Sequence, residues 1–399
     1  MRVLDLGSPE TYANGIPHEE FRRLRREAPI VWQAEPQGPG FWAVTRYADV
    51  LAVLKSPATF SSFRGGALLE DPPPDFLAKL RENMLNRDPP DHTKLRKLTN
   101  HVFTPKRIAH LEERIAAYAR QLVDDVIDRR SCDFAVDVAG KMPLFVICEI
   151  LGVPTEDRAG LYALTGRMFG STIADRAAAM KDGMAAAGEM RAYAAELAAR
   201  RRAAPSEDLV GDLLAAEIDG RKLTDGEIQA FFMLLFNAGA DTTRSLLCYG
   251  LDLLFAHPGE LARLRAQPAL LPSAIEEMLR YEPAVIQFRR TATMDTELAG
   301  TRIAEGTKVV VFFPSANRDE DVFPDPDRFD IERSPNQHLA FGHGTHFCLG
   351  APLARMESRA VFREVLSRFA TIERVSPIVT SRTNFIRSVH HQPIAWTAA

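Results

Sequence analysis

The sequence predicts a mainly α protein with a smaller β-rich part, and three observations lead there. Apolar residues at helical spacing dominate from about residue 80 to 282 and return between about 350 and 370. Strand-like runs are confined to residues 28–60 and to the chain beyond 290. The 399 residues are 46% hydrophobic and 26% charged, an ordinary globular composition with enough apolar side chains for a large core. Neither an internal repeat nor a flexible linker divides the chain, so one domain spanning residues 1–399 is expected.

Residues 30–32 and 41–44 read as strands flanking a Gly/Pro turn at 36–40. Residues 47–55 then switch to helical spacing, with Val50, Leu51, Val53 and Leu54 apolar. Thr104-Pro105 opens a further helix, with proline where a missing N–H costs nothing. Residues 173–204 are Ala-rich with interleaved charges, which predicts a long surface helix. Its Arg200-Arg201-Arg202 end reads as a solvated C-terminus matching the helix dipole. Thr224 and Glu227 have capping-box spacing. Residues 228–240 are apolar on nearly every side, Gln229 and Asn237 excepted, as in a helix that runs through a core. Polarity arrives abruptly at Asp241-Thr242-Thr243-Arg244. Residues 309–313 read as a buried strand, 314–336 as an irregular meander, 352–369 as a last helix and 378–396 as strands.

Several function classes are excluded at once. With 49 Lys+Arg against 53 Asp+Glu the net charge is −4, which leaves no basic excess for nucleic acid. No apolar run approaches the roughly 20 residues of a membrane span. The first ten residues carry Asp5 and Pro9 and lack a signal-peptide pattern. Cys132, Cys148, Cys248 and Cys348 form no close pair, which speaks against a disulfide scaffold and for a reducing cytoplasm.

Cys348 carries the chemistry. It lies in a Gly-rich stretch, Gly342, Gly344 and Gly350, directly before a helix whose free N–H groups stabilise a thiolate. Three readings compete. A buried structural cysteine leaves the glycines unexplained. A zinc site of His338, His343, His346 and Cys348 would crowd its ligands into an unusual spacing. A thiolate under a planar macrocycle, ligating haem iron, suits the loop.

The run Phe341-Gly342-His343-Gly344-Thr345-His346-Phe347-Cys348-Leu349-Gly350 resembles the haem-binding loop of the cytochromes P450, with Thr345 departing from the common Ile or Pro. Glu277-Met278-Leu279-Arg280 is similar to that family's ExxR helix, and Ala238-Gly239-Ala240-Asp241-Thr242-Thr243 to its oxygen-activating helix. Asn317-Arg318-Asp319 is similar to the start of its meander. The order matches, so the resemblance covers essentially the whole chain. It implies the cytochrome P450 fold, a triangular helical prism with a long central helix. It also implies haem b (iron protoporphyrin IX) ligated by Cys348 and contacted by Ala238, Phe341, Gly342 and Gly350. His92, Arg96, Arg290 and His346 match propionate partners, with His338 and Arg289 as further candidates.

Asp241 and Thr242 match the family's proton-delivering acid and alcohol. By residue type alone, an Asp-Thr step inside an apolar helix is expensive without a purpose. The Thr hydroxyl can bond back to a carbonyl one turn earlier and open the ladder, with Gly239 leaving room beside it. Glu277 and Arg280, at i and i+3, can pair; spacing alone favours an exposed pair, whereas the resemblance implies a buried network completed by Arg328 or Arg333. The implied substrate pocket draws on residues 63–76, Met168, Phe169, Leu234, Leu235, Val285, Ile286, Phe288, Phe385 and Ile386.

The expectation is a cytoplasmic haem-thiolate monooxygenase that inserts one atom of O2 into a hydrophobic small molecule. A terpenoid, steroid, fatty acid or biosynthetic intermediate would suit. Electrons would come from NAD(P)H through a ferredoxin or flavodoxin and its reductase, with Lys94, Lys97, Lys106 and Arg107 available to dock the donor. The alternatives are a peroxide-driven haem oxidase and a non-catalytic haem-binding sensor.

Overall fold

A computed structural model of the chain describes residues 4–36, 38–99, 105–169 and 176–398. The capping box is formed at Thr224 and Glu227, and it opens a helix that runs unbroken over Asp225–Ala256, about 48 Å. This central helix serves two apolar cores. Its first half, including Ile228, Phe231, Phe232 and Phe236, packs with Met190, Leu197, Leu209 and Leu213. Its second half, including Leu246, Leu247, Leu251 and Leu254, packs among helices Pro105–Ile127, Lys141–Leu151, Leu271–Tyr281 and Ala351–Arg368. A helix apolar on all sides is stable only when enclosed in this way.

The expected strands and the helix Tyr47–Lys55 are present at the N-terminal side. They form only half of a sheet. Strands Ile30–Gln33, Phe41–Val44, Lys308–Phe312, Gln287–Ala292 and Phe60–Ser61 lie side by side in that order, with the Phe41–Val44 to Lys308–Phe312 pairing parallel. The buried strand starts one residue earlier than expected, because Phe313 already begins the short helix Phe313–Ala316.

The Ala-rich helix, Arg176–Ala203, is not merely a surface element. It buries Ala186, Met190, Ala194, Leu197 and Ala198 along one stripe. Its arginine end is ion-paired, not simply solvated: Arg200 meets Asp157 at 3.1 Å, Arg201 meets Asp208 at 2.6 Å, and Arg202 pairs with Asp225. Carboxylates from both before and after the helix, Asp157 on one side and Asp208 and Asp225 on the other, gather at this end and neutralise it. Thr104 and the expected helix start at 173–175 lie outside the described residues. Among the described residues, no helix is long and apolar enough to cross a membrane.

Helix Ala351–Arg368 encloses Glu357, whose Oε2 has no hydrogen-bond partner among the described residues. Burial pushes this carboxyl up to about 8. Between the usual carboxylate range and pH 8 the native state therefore holds a proton that the unfolded chain has released. Stability should fall across that window as pH rises, by about 1.4 kcal/mol per unit from this group. In Glu357→Gln the neutral side chain cannot titrate, so its melting temperature should depend less on pH between 5 and 8 than that of the parent. Parallel melting curves across this range would refute the assignment.

Candidate active site around Cys348

The loop before helix Ala351–Arg368 is shaped by two glycines in the left-handed region, Gly342 and Gly344, both at φ 68°. A Cβ on Gly344 would also stand 2.8 Å from the Leu54 carbonyl oxygen, so the loop closes against helix Tyr47–Lys55 only with glycine there. Gly350 differs from the sequence expectation: its φ is an ordinary −82°, and a Cβ there would meet nothing nearer than the Cys348 sulfur at 4.0 Å, an ordinary contact, so neither backbone nor space demands glycine. The Cys348 N–H donates to the Phe341 carbonyl at 2.9 Å, which folds the loop back beneath the cysteine. Arg355 lies over the Phe341 ring at 4.6 Å.

Burial pushes the Cys348 thiol up, opposed by N–H groups of Gly350 and Ala351 that donate to the sulfur and by the charge of Arg96. Such a sulfur is a poor free thiolate and a suitable soft-metal ligand, because coordination itself removes the proton. The zinc arrangement is not assembled: His338 Nε2 lies 3.1 Å from Glu276, and no group of three or more His, Cys, Asp or Glu side chains gathers among the described residues.

Around the loop stand groups lacking the partners that burial normally demands. Arg290 occupies the middle of strand Gln287–Ala292 and is buried, yet donates only to the Arg289 carbonyl at 2.8 Å. Neither it nor Arg96 forms a carboxylate ion pair among the described residues. Burial lowers Arg290 to about 10, only partly countered by Asp88. Arg96, on helix Asp91–Leu98, reaches the Phe347 carbonyl at 2.6 Å and so ties that helix to the cysteine loop. His92 and His346 lie with ring centroids 4.3 Å apart, and His92 Nδ1 is buried without a partner. Burial chiefly, with help from the neighbouring cations, lowers His92 to about 4 and His346 to about 2, so without an anion beside them both favour the neutral form. Two unpaired arginines and two neutral imidazoles beside a sulfur fit a dianionic, iron-centred ring: the cations meet carboxylates and the orphaned nitrogen gains an acceptor. Arg289 does not join them, because Asp71 holds it at 2.6 Å.

On the central helix, Leu234, Leu235, Ala238 and Thr242 share one stripe that is less enclosed than its neighbours, and Ala238 is exposed although it lies mid-helix. The Thr242 hydroxyl donates to the Ala238 carbonyl at 2.7 Å. The ladder nevertheless stays closed, so the expected local opening is absent. Gly239 does not provide the room expected beside it; a Cβ there would stand 3.0 Å from Ile147, and the glycine serves close approach to helix Lys141–Leu151. Asp241 is buried, its carboxylate bound by Arg244 and by the Ser388 hydroxyl. Sequence reasoning missed both partners. Arg244 was available from its i+3 spacing; Ser388 is 147 residues away and carried no signal.

Glu277 and Arg280 are fully buried and joined by two parallel bonds of 2.7 and 2.8 Å. Arg333 is the third member, at 3.1 Å from Glu277, whereas Arg328 offers only its backbone carbonyl to Arg280. Arg280 also holds the carbonyls of Asn317 and Pro326, which lashes the meander to the helix.

Of the expected pocket residues, Ile286 points elsewhere. It is fully buried with Leu6, Tyr12, Phe21 and Phe312, whereas Val285 packs with Phe288 against the core of the five-stranded sheet. Val285 pairs with Ile386, and Phe385 packs edge-on to Phe288 at 5.3 Å. Phe63 lies under Arg81 at 4.0 Å, and Phe63, Leu68 and Phe76 are exposed. Met168 packs against the core around the first half of the central helix, and the Phe169 side chain lies outside the described residues. On the presumptive donor face, Lys94 pairs with Asp219 at 2.5 Å and Arg107 with Asp212 at 2.6 Å, so fewer cations stand free than the sequence implied. The Lys106 side chain lies outside the described residues.

Comparison with known proteins points the same way. The cytochrome P450 family model matches residues 174–394. A Mycobacterium tuberculosis protein named cytochrome P450 126 is 40% identical over 97% of this chain and 96% of its own length. The methyl-branched lipid omega-hydroxylase of Mycobacterium bovis is 36% identical over 99% of this chain and 95% of its own. Among solved structures, Mycobacterium marinum cytochrome P450 CYP268A2 in complex with pseudoionone matches with a TM-score of 0.91 and 36% identity, over 99% of both chains.

Proposed function

The chain belongs to the cytochrome P450 family, a haem b monooxygenase with a cysteine-thiolate ligand, and from that premise we propose how its residues divide the work. Bound haem would supply an iron that activates O2, and a thiolate ligand from this chain would favour O–O cleavage. Cys348 holds the iron, and the N–H groups of Gly350 and Ala351 temper the charge on sulfur. Arg96, Arg290, His92 and His346 hold the propionates, while Ala238, Phe341 and Gly342 border the ring. Glu277, Arg280 and Arg333 fix the meander and thereby the seat of the cysteine loop. Thr242 presents a hydroxyl to the oxygen-binding side, and Asp241 relays protons toward it from solvent.

Leu234, Leu235, Val285, Phe385 and Ile386 form an apolar wall that selects a lipophilic substrate and excludes water. The relative named for methyl-branched lipids supports a branched aliphatic molecule. Electrons come from NAD(P)H through a ferredoxin or flavodoxin and its reductase, in the cytoplasm. The single observation that carries this reading is Cys348, donated to by helix-terminal N–H groups and accompanied by a buried Arg290 and a half-buried Arg96 that form no carboxylate ion pair among the described residues.

Turnover with a ferredoxin–reductase pair tests it. A branched fatty acid or sterol should shift the haem band on binding and yield a hydroxylated product. Activity with hydrogen peroxide alone, and none with the electron-transfer pair, would favour the peroxide-driven alternative. Thr242→Ala should keep the substrate-induced shift and consume NAD(P)H, but release hydrogen peroxide in place of most product. Wild-type product per NAD(P)H in that variant would remove Thr242 from proton delivery.

A further inference from the structure

Asp241 is held by groups from two different elements. Arg244, one turn along the central helix, binds Oδ1, and Ser388, from the C-terminal hairpin, donates its hydroxyl to Oδ2. His390, two residues beyond Ser388, and Cys248 on the central helix are the further titratable groups coupled to Asp241; burial chiefly, and Arg244, lower the His390 pKa, and burial raises the Cys248 thiol. Ser388 itself is buried.

The hairpin does not need this hydroxyl to fold. Its backbone is already closed by Val379↔His391 and Thr380↔Val389 pairing, by the Ser381 N–H to the Ser388 carbonyl at 2.9 Å, and by the Ser388 N–H to Ser381 Oγ at 3.1 Å. The segment just before it is fastened to residues 284–286: the Ile286 N–H donates to the Phe385 carbonyl and the Arg387 N–H to the Ala284 carbonyl, both at 2.8 Å. Ser388 thus sits on the rigid stretch that carries the pocket residues Phe385 and Ile386.

We propose that Ser388 is a positioning residue for proton delivery: its hydroxyl, together with Arg244, sets the orientation of the Asp241 carboxylate. It does so from the same segment that touches substrate. This rests on the reading of Asp241 as the proton relay. A carboxylate caught by a guanidinium alone would settle against Arg244; the second donor holds the other oxygen in a defined direction. A hydroxyl is both donor and acceptor, so it does this without adding a charge. Because pocket and donor share one stretch of backbone, the acid is aligned by the wall against which substrate packs.

The test compares Ser388→Ala, Ser388→Thr, Asp241→Asn and the double variant Asp241→Asn/Ser388→Ala as haem-loaded enzymes. Substrate-induced haem shift and melting temperature report structure; product per NAD(P)H and the solvent isotope effect report proton delivery. Ser388→Ala is expected to keep the first two, lose roughly ten-fold in coupled turnover, as for a removed hydrogen bond to a charged group, and show a larger isotope effect. Ser388→Thr should restore both, and Ser388→Ala should add nothing to Asp241→Asn. If Ser388→Ala fails to hold haem, Ser388→Cys, a weaker donor of similar size, takes its place. Wild-type coupling and isotope effect in Ser388→Ala beside a slowed Asp241→Asn overturn the role of Ser388. An unaffected Asp241→Asn overturns the relay reading beneath it.

Discussion

Glu277→Ala is expected to yield little soluble, haem-loaded protein. Arg280 is fully enclosed, and among the described residues its charge is met by Glu277 alone, through both carboxylate oxygens. The same carboxylate receives Arg333, the Asp330 N–H at 3.0 Å and the Asn336 amide at 3.1 Å. Removing it strands a buried guanidinium and breaks all five of these hydrogen bonds at once. One broken buried pair costs about 3–5 kcal/mol, a large share of the roughly 5–15 kcal/mol that holds a typical native state. Arg280→Lys should fare little better, because an ammonium cannot reproduce the fork that also holds the Asn317 and Pro326 carbonyls. Haem absorbance per protein and thermal melting check this. Normal values for Glu277→Ala would mean that the network is dispensable.

Cys348→His should abolish oxygenation while leaving a folded haem protein. The reduced carbonyl complex of the parent should absorb far to the red of an imidazole-ligated haem, and the variant should lose that displacement. The other cysteines act as controls. Burial pushes the Cys132 and Cys148 thiols up to about 12 and raises Cys248 further, so each is a neutral packing group. Cys132→Ser, Cys148→Ser and Cys248→Ser should leave the band in place. A displaced band that survives Cys348→His would move the ligand elsewhere.

Local physics was written plainly in this chain. The capping box at Thr224 and Glu227, the apolar run behind it and the helix Tyr47–Lys55 all depend on neighbours within a few residues. The cysteine loop was equally legible, because its glycines and its helix lie within fifteen residues of Cys348. Interior direction was less so. Ile286 and Val285 are both apolar and adjacent, and only the fold decides that Ile286 joins the N-terminal core while Val285 pairs with Ile386.

What the sequence determined by itself was therefore the helical character, the place of the cysteine ligand and the family to which the chain belongs. Tertiary structure alone decided that Arg333 and not Arg328 completes the Glu277 network, that Gly239 serves packing against Ile147, and that Asp241 is held by Ser388. The physical reason is range. Capping, periodicity and loop conformation act over one or two turns of chain, whereas a buried charge takes its partner from whichever segment folding brings within hydrogen-bond distance, here up to 147 residues away.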